Sequence, residues 1–143
     1  MRDLTKDKKS LYEYTLEWVI TIELLLENHL SELIALEKHL DKPEEFREHW
    51  ERTKFCKSCV VAHSLELKGY SSECITGACP SEPEWKDLQN LGSEMYKFFK
   101  PLRKIEDFTR EVFEKAKEFR TKLRNIRKTL TEEDSRKVEE FIT

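Results

Sequence analysis

The sequence contains few of the residues that bend a chain. Only three glycines and four prolines occur among its 143 residues, and no stretch alternates between apolar and polar side chains. Hairpin turns and sheet corners depend on glycine, proline and asparagine, so this composition argues against a β-sheet protein. The sequence therefore predicts an all-α fold in which long helices are joined by a few turns.

Long apolar runs are also missing. The most apolar stretch, residues 18–26, is nine residues long and includes Glu23, whereas a membrane-spanning helix needs about 20 apolar residues. Residues 1–9 are polar and no small-residue cleavage site follows them, so no signal peptide is predicted. We therefore expect a soluble, cytoplasmic protein without a membrane partner.

Amide side chains are scarce as well. Gln occurs once and Asn three times, while charged residues make up 38% of the chain. This thermophile-like composition is typical of proteins from hot environments, in which intracellular disulfides also occur. The length suits one domain with a core and is too short for two, so we predict a single domain over residues 1–143.

Apolar residues recur every three or four positions almost throughout, which indicates amphipathic helices. This periodicity predicts an up-and-down four-helix bundle with a short C-terminal helix. The second cysteine pair falls in a predicted loop, residues 69–81, between helices 2 and 3. The predicted helices cover residues 11–40, 43–67, 83–98 and 102–130, with the short last helix capped by Thr131 and Asp134.

All the cysteines lie in one window, residues 56–79, spaced as Cys56-x2-Cys59, fourteen residues, and Cys74-x4-Cys79. Four thiolates are the number that a tetrahedral zinc ion or an iron–sulfur cluster requires. We therefore predict that the four cysteines bind a metal, zinc in the first instance and an iron–sulfur cluster as the alternative. The spacing departs from the usual pair of Cys-x2-Cys motifs, so two disulfides or free buried thiols remain open interpretations.

The histidines do not form a familiar di-iron pattern. No histidine has a glutamate three residues before it or four residues after it, which excludes ferritin-like and hemerythrin-like motifs. His29 is interpreted as a core residue, and His39 and His49 flank the turn between the first two helices. His63 lies one helical turn after Cys59, so we expect it either to ligate the metal or to hydrogen-bond near a coordinating sulfur. No catalytic motif argues for an enzyme.

Charge is distributed unevenly along the chain. Residues 11–37 carry six glutamates and no lysine or arginine, whereas residues 115–128 carry seven basic residues against Glu118 alone. A basic helix can bind nucleic acid. It can also pair with an acidic neighbour, since the first and fourth helices of an up-and-down bundle are adjacent and antiparallel. We favour the pairing.

The predicted function is that of a non-catalytic, metal-binding helical module that acts through an unknown protein or small-molecule partner. An iron–sulfur protein in electron transfer or redox sensing is the first alternative. A nucleic-acid-associated protein that uses residues 115–128 is the second. Assembly into a homo-oligomer is compatible with each of these functions.

Overall fold

The protein is all-helical in the computed structural model, which describes the backbone of residues 4–72 and 82–142 and the side chains of residues 17–69 and 86–129. Within these ranges there is no β-strand, so the prediction of an all-α fold is confirmed. None of the described helices is long and apolar enough to cross a membrane. The five α-helices are α1 Leu4–Ile34, α2 Pro43–Arg52, α3 Lys57–Ser72, α4 Glu82–Phe99 and α5 Arg110–Ile142.

The predicted second helix is in fact two helices, because the chain leaves helical geometry after Arg52. Thr53 is extended, with φ −70° and ψ 150°, and its hydroxyl accepts a hydrogen bond from the N–H of Phe55 at 3.2 Å. Side chains of this kind offer the backbone an alternative to the helical ladder. The apolar stripe continues across the break, so periodicity alone predicted one helix where there are two.

The C-terminal part of the chain also differs from the prediction. The predicted fourth helix begins later, at Arg110, because residues before it form a short 3-10 helix, Ile105–Asp107. The Asp107 carboxylate accepts hydrogen bonds from the backbone N–H groups of Arg103 at 2.8 Å and Lys104 at 2.9 Å. The predicted separate last helix was wrong: α5 continues to Ile142 without a break. The capping pattern at Thr131 and Asp134 does not start a new helix, because no glycine or proline follows Pro101 to end the preceding one.

The core is built from the apolar faces of the long helices. Helix α1 packs against α3 and α5, and α4 packs against the same two helices. Fully buried side chains from all four helices meet there, including Leu26, Leu67, Met95 and Phe119. Four long helices therefore each have two neighbours around one apolar interior.

Aromatic residues close one end of this core, where α2 lies. Trp50 of α2 packs against Phe108 with ring centroids 4.7 Å apart and the ring planes tilted by 53°, and Phe46 meets the edge of Phe113 of α5 at 6.1 Å. Phe55, in the break before α3, contacts both Trp50 and Phe108. These contacts fix α2 and the break against the start of α5.

Helices α3 and α4 approach each other closely at Gly92, which is buried. A Cβ atom at Gly92 would lie 2.8 Å from the carbonyl oxygen of Ser64 and 2.9 Å from the backbone nitrogen of Lys68. Glycine is the residue that permits such an approach of two backbones. The close contact between α3 and α4 therefore depends on the absence of a side chain at Gly92.

Candidate functional sites

Cys56 and Cys59 are brought together at the start of α3. Cys56 is the residue before the helix, and its carbonyl oxygen accepts the first helical hydrogen bond, from Val60 N–H at 3.0 Å. Its sulfur accepts a hydrogen bond from the N–H of Cys59 at 3.1 Å. The two Cα atoms are 5.2 Å apart and the two sulfurs lie within bonding distance. Cys56 thus caps the N-terminus of α3 with its sulfur.

This location determines what the two sulfurs can do. The N-terminus of a helix carries a partial positive charge and free N–H groups, both of which favour a thiolate over a thiol. Both residues are half-buried rather than sealed in the core. As a disulfide the pair has no thiolate to donate to a metal, whereas the reduced pair offers two sulfur ligands side by side.

The other predicted ligands, Cys74 and Cys79, lie outside the described residues. The predicted loop at residues 69–81 is only partly tested, because α3 extends through Gly69 and ends at Ser72. The first residues of the predicted loop, 69–72, are therefore helical. The four-cysteine site therefore stays a prediction, and the described pair, Cys56 with Cys59, has the arrangement of a disulfide, which the sequence left open as an alternative.

His63 lies between α3 and α1 and is half-buried. Its ring stacks against that of His29 with centroids 6.3 Å apart, and its Nδ1 atom lies 3.3 Å from Glu66 Oε1. Burial, followed by the neighbouring His63, lowers the pKa of His29, which favours a neutral imidazole there. The described contacts of His63 are made to His29 and Glu66, and its role toward a metal stays a prediction.

A third group of side chains was missed by the sequence analysis. His39, at the end of a 3-10 helix formed by Glu37–His39, comes together with Glu45 and His49 of α2. One potential ligand atom from each residue lies within 4.8 Å of the other two. His39 Nδ1 is 2.9 Å from Glu45 Oε1, and the rings of His39 and His49 are stacked at 3.7 Å with their planes 6° apart. We call these three residues the His39–Glu45–His49 cluster.

A sequence signal for this cluster does exist. Glu45 precedes His49 by four residues, so the two side chains share one face of a helix. The patterns tested above place glutamate three before or four after a histidine, and neither includes this order. The third member, His39, is reached only through the turn between the two segments, which sequence spacing does not reveal.

The basic residues of α5 face the acidic residues of α1, as predicted. Glu27 binds two arginines: it contacts Arg124, and its Oε2 atom lies 2.6 Å from Arg127 Nη1. Further along, Lys117 Nζ lies 2.8 Å from Glu37 Oε2. Rising numbers on α1 meet falling numbers on α5, so the two helices are antiparallel. The pairing interpretation of the charge asymmetry is confirmed for these residues.

Glu23 is an isolated acidic group inside the same α1–α5 interface. Its side chain is fully buried, and neither carboxylate oxygen has a hydrogen-bond partner among the described residues. Burial raises its pKa to about 8, although the nearby Arg127 pulls the pKa down. The carboxyl group is therefore protonated and neutral at neutral pH.

An open groove of about 390 Å³ lies beside the aromatic end of the core. Apolar side chains, among them Leu40, Phe46 and Ile105, line most of it. An ion pair between Arg47 and Glu106, 3.3 Å apart, borders it. Apolar grooves with a few polar groups at the edge are typical of ligand sites.

No known protein family, curated protein or solved structure matches this chain. Among the described residues, the candidate functional sites are the Cys56–Cys59 pair, the His39–Glu45–His49 cluster and the groove.

Proposed function

We propose that this chain is a non-catalytic, metal-binding helical module. In the reduced protein, Cys56 and Cys59 supply two thiolates, and Cys74 and Cys79 complete a tetrahedral zinc site. The single observation that carries this proposal is the convergence of the two sulfurs at the N-terminus of α3. Four thiolates fill the coordination sphere of zinc and leave no position for a substrate, as in structural zinc sites.

The proposed architecture is an up-and-down bundle of α1, α3, α4 and α5, with α2 as a short helix at one end. Support comes from the two neighbours of each long helix and from the antiparallel contact of α1 with α5. A zinc site at Cys56 and Cys59 would lie at the α2 end of α3, and the segment after Ser72 would have to return along α3 to reach it. The groove beside α2 is available to a protein or small-molecule partner.

Thiol–disulfide exchange is a second candidate function, favoured by the bonding distance between the two sulfurs. In this reaction the Cys56–Cys59 disulfide accepts two electrons and two protons from a partner dithiol, which becomes a disulfide in turn. A cysteine at a helix N-terminus suits this chemistry because its thiolate is stabilised there. Zinc binding and exchange need the same two residues in different redox states.

Two further alternatives remain proposals of lower rank. An iron–sulfur cluster would use the same four thiolates. Nucleic-acid binding by residues 115–128 is disfavoured because Arg124 and Arg127 already pair with Glu27 of α1, and Lys117 with Glu37 of the 3-10 helix.

Elemental analysis of protein purified under reducing, oxygen-free conditions tests the proposal, with four single Cys→Ser variants beside the native chain. We expect each variant to contain one zinc ion per chain less than the native, colourless protein, together with a lower melting temperature. Ser58→Ala, between the two cysteines, is the matched control and should retain zinc.

The variants also separate the candidate functions. If thiol–disulfide exchange is the function, Cys56→Ser and Cys59→Ser abolish it, whereas Cys74→Ser and Cys79→Ser leave the midpoint in a glutathione titration unchanged. A brown protein with broad visible absorption indicates an iron–sulfur cluster. Full zinc content in any two of the four variants contradicts a four-cysteine site.

A further inference from the structure

We propose that the His39–Glu45–His49 cluster is a second metal site, which binds a divalent transition-metal ion of the zinc class. It shares no residue with the cysteine window, so each of the two proposed sites can be tested without the other. Two imidazoles and one carboxylate are a ligand set that zinc uses in proteins when a fourth position stays open to water or another ligand.

The backbone already holds the three side chains together. Glu45 and His49 lie one turn apart on α2, which places them on the same face. His39 approaches that face from the 3-10 helix, and α2 contacts this short helix directly. Three ligands come from only eleven residues of chain, 39–49, with Pro43 starting α2 in between. Pre-assembly of this kind lowers the ordering cost of binding an ion.

The contacts within the cluster bring the three ligand groups together. The rings of His39 and His49 are stacked at 3.7 Å, and His39 Nδ1 donates a hydrogen bond to the Glu45 carboxylate at 2.9 Å. An ion that replaces this proton would bind His39 Nδ1 and the Glu45 carboxylate, with His49 as the third ligand.

The surroundings are compatible with an added cation. Lys42 is the nearest described competing charge, with Nζ 3.8 Å from Glu45 Oε2, and its side chain is 79% exposed. A long exposed lysine can move into solvent when the ion binds. The His39 side chain, by contrast, is only 13% exposed, so the ligand face is shielded while the carboxylate remains open to solvent.

Titration of the full-length, oxidised chain with Zn²⁺ and Co²⁺ tests this site, because oxidised cysteines offer no thiolates. We expect one ion per chain, a rise in melting temperature, and a Co²⁺ spectrum without sulfur charge-transfer bands. His39→Ala and His49→Ala should each weaken binding by at least about 100-fold. Removing a residue that only orients a ligand weakens binding by at most about that factor. Glu45→Gln should weaken binding by a factor similar to that of the histidine variants, because it removes the carboxylate ligand.

Two matched controls accompany these variants. His29→Ala removes a histidine elsewhere, and Glu48→Gln removes a carboxylate from the same helix; both should retain the native affinity. If loss of the ring stack prevents His49→Ala from folding, NMR of the native chain replaces it. Zn²⁺ should then shift the ring signals of His39 and His49 and leave those of His29 and His63 in place. Equal affinities in all variants, or unmoved ring signals, overturn the proposal.

Discussion

The α1–α5 and α3–α4 interfaces join long helices of one core by different means. Across α1–α5, charged side chains meet, with Glu27 of α1 facing Arg124 and Arg127 of α5. Across α3–α4, the backbones themselves come close at Gly92, beside the buried Ser64. Long charged side chains can adjust by rotation, whereas two backbones cannot. We therefore expect the first interface to tolerate substitution and the second to fail at a single methyl group.

The largest effect is expected from Gly92→Ala. Its Cβ atom would lie 2.8 Å from Ser64 O, so α3 and α4 must move apart, and overpacking of this kind costs about 3 kcal/mol. Gly69→Ala is the matched control, because Gly69 is also helical but has nothing within 4 Å of an added Cβ. That variant should be stabilised by up to about 1 kcal/mol from helix propensity. Urea unfolding of both variants measures the difference, and equal effects would refute a close α3–α4 interface.

The next effect concerns Glu23, the buried carboxyl group of the α1–α5 interface. Its pKa is about 8 in the folded chain and near 4.5 when unfolded, so the folded state binds more protons between these values. The contribution of Glu23 to stability is therefore greatest below about pH 4.5 and falls as pH rises to about 8. Arg127 and Glu27 are the charged groups that act on this carboxyl group.

Unfolding of two variants at pH 5 and pH 8 checks this expectation. Glu23→Gln, which cannot titrate, should lose the fall in stability between the two pH values. Glu23→Leu should be more stable than the native chain at pH 8 by about 2 kcal/mol, since it removes a buried polar group without a partner. A native chain with the same stability at both pH values would show that Glu23 is hydrated or paired.

A smaller effect is expected from exchanging charges at Glu27. Burial raises the pKa of Glu27, but hydrogen bonds from Arg124 and Arg127 outweigh burial and lower it. Glu27→Arg should cost about 1 kcal/mol, and adding Arg124→Glu with Arg127→Glu should recover part of this loss. The coupling is read from a double-mutant cycle in urea and should shrink in 1 M salt. Additive effects would mean that the contacts contribute nothing to the antiparallel register.

The smallest effect is expected at Lys117. Its Nζ atom contacts Glu37 and Glu114 at the exposed margin of the α1–α5 interface, where solvent screens ion pairs. Lys117→Gln should change stability no more than Lys128→Gln does. Lys128 is an exposed residue of the same helix and serves as the control. A clear difference in melting temperature between the two variants would assign this margin a larger role.

The difference between the α1–α5 and α3–α4 interfaces also explains which features could be predicted from the sequence. The facing charges of α1 and α5 follow from composition along two amphipathic stretches, and helical periodicity located α4 closely. Gly92 gives no such signal, because a glycine within a helical pattern indicates only a local cost in helix propensity. The break at Thr53 was hidden because apolar residues continue through it at helical spacing. The His39–Glu45–His49 cluster depends on the turn between His39 and α2, so only two of its three residues, Glu45 and His49, could be found from spacing.

The break at Thr53 also divides the chain into units that can open at different rates. Helix α2 has ten residues, and extended residues separate its hydrogen bonds from those of α3. Transient loss of α2 therefore breaks no hydrogen bond within α1 or α3, and exposes mainly Phe46, Trp50 and the amides of α2. In amide hydrogen exchange, helix α2 should exchange as one early unit while the central amides of α3 remain protected until global unfolding.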